Sequence, residues 1–526
     1  MTAKRFCIAG ALALGFAVCA GAQGQVGQLG LISFPTSGAP AAQPSFIEGV
    51  KELHSFQFDE AALAFQKAEQ IDPNFAMAYW GEAMSHNHPL WAEVDVDQAK
   101  RALEKLSPTL DGRLAKAQTP KEKSYLQAVD RLFYTPGDKL ARDFSYSNAM
   151  AKMYAEWPDD HEVDVLYALS LLGTIRPGDP GFRRQALAAS IALKVFQENP
   201  KHPGAPHFII HAFDDPDHAI LALPAARQYA DIAPGAAHAL HMPSHIFVRL
   251  GMWPELERSN VAAYKAAEDV IARLHTPEGR EDFHTLSWLE YAHLMLGKFD
   301  DAKHDVELAK QAVDRNPGKS AMQQSYLYMR ARYILETRQW EKISLAAGAP
   351  SVTKTGAASS QTSMPCMPGM PGMSASNAGS GYNTDTGWVF IAGYSAAKLS
   401  DAATSDEATA QLHAMAERTA FGGDAYAAKP LTIMEKELQA MAKLARGQKD
   451  DAVRLAKDAA DLEWTMSPPS GPPDPIKPAM ELYGEVLLEA GQPSQAATAF
   501  EKALERTPNR TPLVQDIARA AKTSGN

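Results

Sequence analysis

The sequence predicts an all-α fold, an α-solenoid of stacked helix pairs that carries a disordered Met-rich insertion. Three observations predict it. A pattern of small residues, an interposed aromatic and a closing proline recurs, as in Phe58, Ala61, Phe65, Ala68 and Pro73, and again in Gly491, Ala496, Phe500, Ala503 and Pro508. Two histidine pairs, His207/His211 and His241/His245, stand 34 residues apart, a helix–turn–helix repeat period. Cysteine is scarce: Cys7 and Cys19 sit at the N-terminus and Cys366 stands alone, so packing rather than an internal disulfide must hold the fold.

The elements follow in chain order. Lys4 and Arg5, the apolar run from Cys7 to Cys19, and Ala20-Gly21-Ala22 read as a secretory signal over residues 1–22, with the mature chain starting at Gln23. That run is too short to span a bilayer. Lipidation at Cys19 is the lesser reading, because Val18 is bulky where a small residue is usual. The chain is therefore expected to be exported, to the periplasm. Loss of Lys4 and Arg5 would move the net charge from −11 to −13, and so acidic a chain is not expected to bind nucleic acid. Residues 23–44 are rich in Gly, Pro and Ala and are expected to form a flexible lead-in.

Residues 45–345 are expected to form a TPR-like (tetratricopeptide-repeat-like) α-solenoid with a His-rich concave site. Further copies of the repeat are marked by Ala222, Ala226 and Pro234, by Gly251, Trp253 and Ala263, and by Gly297, Phe299, Ala302 and Ala309. Residues 346–386 are a low-complexity Met-rich insertion. Residues 387–526 are C-terminal TPR-like helices, with Gly447, Ala452, Ala456 and Ala459 marking one copy and Gly491 opening the last. The proline-dense stretch from Ser467 to Pro478 reads as a stiff loop. No later segment is long and apolar enough to be transmembrane.

The first helix of each such repeat lines the concave wall, mainly through its second, fifth, ninth, twelfth and thirteenth positions. Counting back from Gly251 makes His238, His241 and His245 the second, fifth and ninth. The preceding repeat then places His207 and His211 fifth and ninth, and Asp214 and Asp215 twelfth and thirteenth. His284 and Tyr291 become second and ninth of the next repeat, and His54 thirteenth of the first. Residues i and i+4 share a helix face, so imidazoles from adjacent helices can meet at one ion. Neutral imidazole suits Cu, Zn, Fe and Ni. His207, His211, His241 and His245 are the first candidates, followed by His238. Four His would close a tetrahedral site, whereas three His plus water would leave a reactive position open. Asp214 or Asp215 would be a ligand or orient a ring. Pro243, between His241 and His245, must either start or kink the helix.

The alternative is a metal-free groove for a peptide or protein partner, lined by His54, Arg249, His284, Tyr291, Asp214 and Asp215, with Trp80, Trp91, Tyr291 and Arg249 as anchors. A third reading is structural, with the histidines satisfying one another. His86 and His88 read as a helix end closed by Asn87 and Pro89. His202, His218, His275, His293, His304 and His413 read as surface or packing residues.

In the insertion, Met364, Met367, Met370 and Met373 recur every third residue around Cys366. That is the polyproline II period, and soft thioethers with a thiol favour Cu(I). A bland linker is the competing reading.

Three stretches carry a resemblance. They are Tyr79-Trp80-Gly81-Glu82-Ala83-Met84 with His88-Pro89-Leu90-Trp91, then His202-Pro203-Gly204-Ala205 with His207 and Ile210-His211-Ala212, then His241-Met242-Pro243-Ser244-His245-Ile246 with Arg249 and Gly251. Over residues 45–310 the chain resembles exported bacterial tetratricopeptide-repeat proteins. The resemblance implies an α-solenoid outside the cytoplasm and implies no reaction. No Gly-x-Ser-x-Gly, Walker-type or His-Glu-x-x-His motif is present, so whether the chain is an enzyme stays open.

Overall fold

The computed structural model describes residues 28–176, 179, 181–274, 282–345 and 386–524. The signal-like stretch lies outside these residues, as does the methionine segment with Met364, Cys366, Met367, Met370 and Met373.

The protein is an all-α, TPR-like solenoid. Among the described residues, sheet is limited to a two-residue ribbon pairing Asn87 with Val94 and His88 with Glu93. Helix contacts run mostly between elements adjacent or next-adjacent in the chain, the quasi-one-dimensional packing of a solenoid. The repeat residues explain the pairing. In the helix Phe58–Ile71, Ala61, Phe65 and Ala68 fall on one face and are fully buried. Gly81 of the next helix lies so close that an added Cβ would sit 2.3 Å from the Phe65 ring. Gly484 and Phe500 repeat this contact at the same 2.3 Å. Bulk on one helix meets absence of bulk on its partner, which sets both register and spacing.

The expected lead-in is not loose from residue 28 onward. Leu29 and Phe34 are buried, and Leu31 donates its amide to the Lys201 carbonyl at 2.8 Å. These two apolar side chains gave it a core to join, which composition alone concealed.

The far end of the chain returns to the middle. Trp253 Nε1 donates to the Asn509 carbonyl at 2.8 Å, and Thr511 Oγ1 donates to the Met295 carbonyl at 2.5 Å. Gly251 has φ +62°, and a Cβ there would lie 2.2 Å from the Pro508 oxygen. The proline-dense loop follows the same course. Its Pro473 carbonyl accepts from Tyr328 Oη at 2.9 Å, and Gly471 abuts Trp288. The solenoid thus curls until its last repeat braces the helices that carry the histidines. Among the described residues, no helix is long and apolar enough to cross a membrane.

Candidate metal centre

Six imidazoles project from the first helices of three successive repeats. Gly204–Ala212 carries His207 and His211, Ala237–His241 carries His238 and His241, Pro243–Arg249 carries His245, and Phe283–Met295 carries His284. Pro243 opens a new helix, yet Met242 keeps helical torsions (φ −54°, ψ −35°). The turn therefore continues through the break, and the His241 and His245 rings remain 5.2 Å apart. Phe283–Met295 is capped by Asp282, whose Oδ1 accepts the Thr285 amide at 3.0 Å.

In the first set, His211 Nε2 and His238 Nε2 each lie 3.0 Å from His207 Nε2. His207 Nδ1 lies 2.6 Å from the His54 carbonyl oxygen. A carbonyl only accepts, so the ring proton is on Nδ1 and Nε2 presents a lone pair. That one lone pair faces two other ring nitrogens, and a proton satisfies at most one of the two contacts. A cation among the three nitrogens would satisfy them all. Nitrogens bound to one ion at about 2.0–2.1 Å stand roughly 3 Å apart, which matches.

The second set repeats the arrangement. His284 Nε2 lies 2.9 Å from His241 Nε2. His241 Nδ1 donates to Asn260 Oδ1 at 2.7 Å, and Asn260 is oriented by its own amide nitrogen donating to the Leu256 carbonyl at 2.9 Å. His245 Nδ1 donates to Asp214 Oδ2 at 2.8 Å, while its Nε2 is buried without a hydrogen-bond partner. Within each set of three, the ligand atoms lie within 4.8 Å of one another.

Burial pushes His207 and His284 down to about 3. Burial, reinforced by neighbouring imidazoles, holds His211, His238 and His241 well below the ordinary histidine range. These five rings are therefore neutral at physiological pH, the state that binds metal.

Beneath the first set lies a buried triad. Glu162, capped into the helix His161–Gly173 by Asp160, takes His54 Nε2 at 2.8 Å and His202 Nε2 at 3.1 Å. His202 Nδ1 accepts the Gly204 amide at 3.1 Å, and so caps the helix that carries His207 and His211. Burial alone would raise Glu162, but His54 and His202 outweigh it and hold the carboxyl at about 2. Aromatic walls back both sets. The Phe56 ring is 4.3 Å from His207 and 5.4 Å from His238, and Trp288 is 4.5 Å from His245 and 5.0 Å from His241. Phe56 holds φ +53°, a left-handed conformation costly for an aromatic residue, and its ring packs against the set.

The expected four-histidine site of His207, His211, His241 and His245 is divided. His207 and His211 join His238, and His241 and His245 join His284, because the third ring in each case comes from the neighbouring repeat. Asp214 belongs to neither set of three. It holds His245 Nδ1 and accepts Arg249 Nε at 2.9 Å, and the Ser470 hydroxyl donates to it. Asp215 lies apart, bonded to His218 Nδ1 at 2.8 Å. Arg249 and Tyr291 are buried rather than groove-lining, the Tyr291 hydroxyl facing Arg510 at 3.3 Å. Trp80 is likewise core. His54 acts through its carbonyl and its bond to Glu162. His202, expected at the surface or in packing, is a fully buried member of the triad. Glu162, Asn260, Phe56, Trp288 and Ser470 were not among the expected site residues. Trp288 stands one turn after His284 on the same helix, a local signal that could have marked it; the site partners of the others are remote in sequence, so no local pattern marks them.

Fold and site together define a class: a tetratricopeptide-like solenoid with two adjoining clusters of three histidines. No protein-family model matches the chain, and no curated protein matches it. Solved structures that it resembles include the TPR domain of P58(IPK), at 12% identity and TM-score 0.23, covering 92% of this chain and 98% of that one. Another is yeast Tom70, at 11% identity and TM-score 0.30, covering 92% and 89%. A third is the Cut9-Hcn1 hetero-tetramer of APC/C, at 14% identity and TM-score 0.34, covering 93% and 78%. These likenesses concern helical-repeat architecture and do not extend to the histidine centre.

Proposed function

We propose that this chain is an exported, TPR-like metalloprotein that binds transition-metal ions on its two three-imidazole sets. One observation carries the reading. His207 and His241 both spend their ring proton on a fixed acceptor at Nδ1, and both aim the remaining lone pair at other histidine nitrogens 2.9–3.0 Å away. In the first set one proton cannot satisfy both contacts, and in the second the buried His245 Nε2 has no partner, so a cation would complete each. Cu, Zn and Fe all accept imidazole, and the three-ligand count leaves each ion a position for handing the metal on or for chemistry. Export rests on the N-terminal sequence, with its basic start, short apolar run and Ala-x-Ala.

The metal-free scaffold reading is weaker on its own terms. All four of its expected anchors, Trp80, Trp91, Tyr291 and Arg249, are buried and offer a peptide little surface.

The test is metal content by mass spectrometry on full-length protein purified without a histidine tag, beside the His207→Ala/His241→Ala variant. About two ions per chain are expected in the native protein and nearly none in the variant, with helical content unchanged. A native protein that stays metal-free after incubation with Cu and with Zn would overturn the proposal.

A further inference from the structure

The two sets are copies of one another. In each, one repeat supplies two imidazoles four residues apart and the next repeat supplies the third. His238, the third member of the first set, lies on the same short helix as His241 of the second. The sets therefore share a wall. Across that wall the His211 and His245 rings are 6.1 Å apart, and His238 and His241 are 6.5 Å apart. The widest pairs inside single sets, His211 with His238 and His245 with His284, measure 6.3 and 6.5 Å. Crossing from one set to the other is thus no longer a step than crossing within one. His211 and His284 keep partial exposure, one in each set, while the other four rings are buried.

The donor chemistry narrows the ion. All six donors are imidazole nitrogens, which bring no negative charge to a bound ion, and Asp214, the nearest carboxylate among these contacts, is already taken by His245, Arg249 and Ser470. Two divalent ions here would place four positive charges in a buried site walled by Phe56 and Trp288, with no anionic ligand from the protein. Two Cu(I) ions halve that charge, and imidazole suits them. Once oxidised, the pair would need an anion between its members. Resting on the reading that both sets bind metal, we infer that they form one dicopper centre whose exogenous ligand is dioxygen, held between the two ions.

The step balances. Each Cu(I) gives up one electron and becomes Cu(II). Dioxygen takes the two electrons and its O–O bond order falls from two to one. The resulting dianion forms bonds to both copper ions and supplies the negative charge that the protein withholds. No proton moves and no protein bond breaks, so release of dioxygen reverses the step.

The experiment uses the full-length protein loaded anaerobically with Cu(I), then exposed to dioxygen. Copper is counted by mass spectrometry, dioxygen uptake by electrode, and the oxidation state by electron paramagnetic resonance. The expected result is about two coppers per chain, about one dioxygen per copper pair, a new near-ultraviolet band that disappears under vacuum, and no resonance signal because the two Cu(II) spins couple. His284→Ala and His211→Ala, one change in each set at a partly exposed ring, should each keep about one copper and take up no dioxygen, with circular dichroism confirming the fold. Two coppers with no uptake, or with a resonance signal from independent Cu(II) ions, would overturn the inference and leave the metal reading standing. Tight zinc that copper does not replace would do the same. A native chain that binds no metal would sink both.

Discussion

Glu162→Ala is the sharpest single perturbation of the foundation under the first histidine set. Two buried imidazoles donate to this carboxylate, and His202 has no alternative, because its Nδ1 is engaged by the Gly204 amide. The carboxyl is held at about 2, against 4.5 for an ordinary glutamate. Because the folded value is depressed, the ionised form stabilises the fold above about pH 4.5, and this is lost as pH falls towards about 2. The difference corresponds to about 3 kcal/mol at neutral pH. That agrees with the roughly 3–5 kcal/mol for breaking a buried charge network. Glu162→Gln should cost less. Its carbonyl can still accept from His202, and His54, whose Nδ1 has no hydrogen-bond partner, can move its proton there and accept the new amide at Nε2. Long solenoids need not unfold in one step, so the assay should be local. Hydrogen–deuterium exchange against urea, read on peptides spanning His161–Gly173 and Gly204–Ala212, would report opening at these helices. If Glu162→Ala shifts their opening free energy by less than about 0.5 kcal/mol, or if the glutamine variant is as costly as the alanine, the argument fails.

Two further outcomes follow from the packing. Asn260→Ala removes the acceptor that fixes the His241 tautomer, so calorimetric titration with Cu or Zn should show the second set weakened about 10–100-fold with the first unchanged; equal weakening of both would contradict independent anchoring. Gly251→Ala adds a Cβ 2.2 Å from the Pro508 oxygen at a left-handed φ of +62°, and should part the Trp253–Asn509 contact. A loss of about 1–2 kcal/mol or more, a lower melting temperature and a larger scattering radius are expected, and an unchanged melting curve would count against the closure described.

What the sequence determined was one-dimensional and periodic. Ala61, Phe65 and Ala68 spell a helix face at steps of three and four, and the glycines at 251, 297, 447 and 491 mark turns at positive φ between paired helices. The 34-residue offset put four of the six clustered histidines in matching repeat positions, and the counts from Gly251 and Gly297 added His238 and His284 to that wall. Helix and repeat periods are local properties, so residues a few places apart suffice to reveal them.

The tertiary structure decided how those six rings divide. A tetrad of His207, His211, His241 and His245 respects the sequence pairs, but stacked repeats bring the second position of one against the fifth and ninth of the one before, so His238 and His284 complete two sets of three. It also decided which nitrogen of each ring faces inward. That choice depends on acceptors brought in from afar: the His54 carbonyl is 153 residues from His207, and Ser470 is 256 residues from Asp214. Contacts of that span arise from the curl of the whole solenoid, which no period in the chain encodes, so the clustered histidines were legible in the sequence and their division into two sets was not.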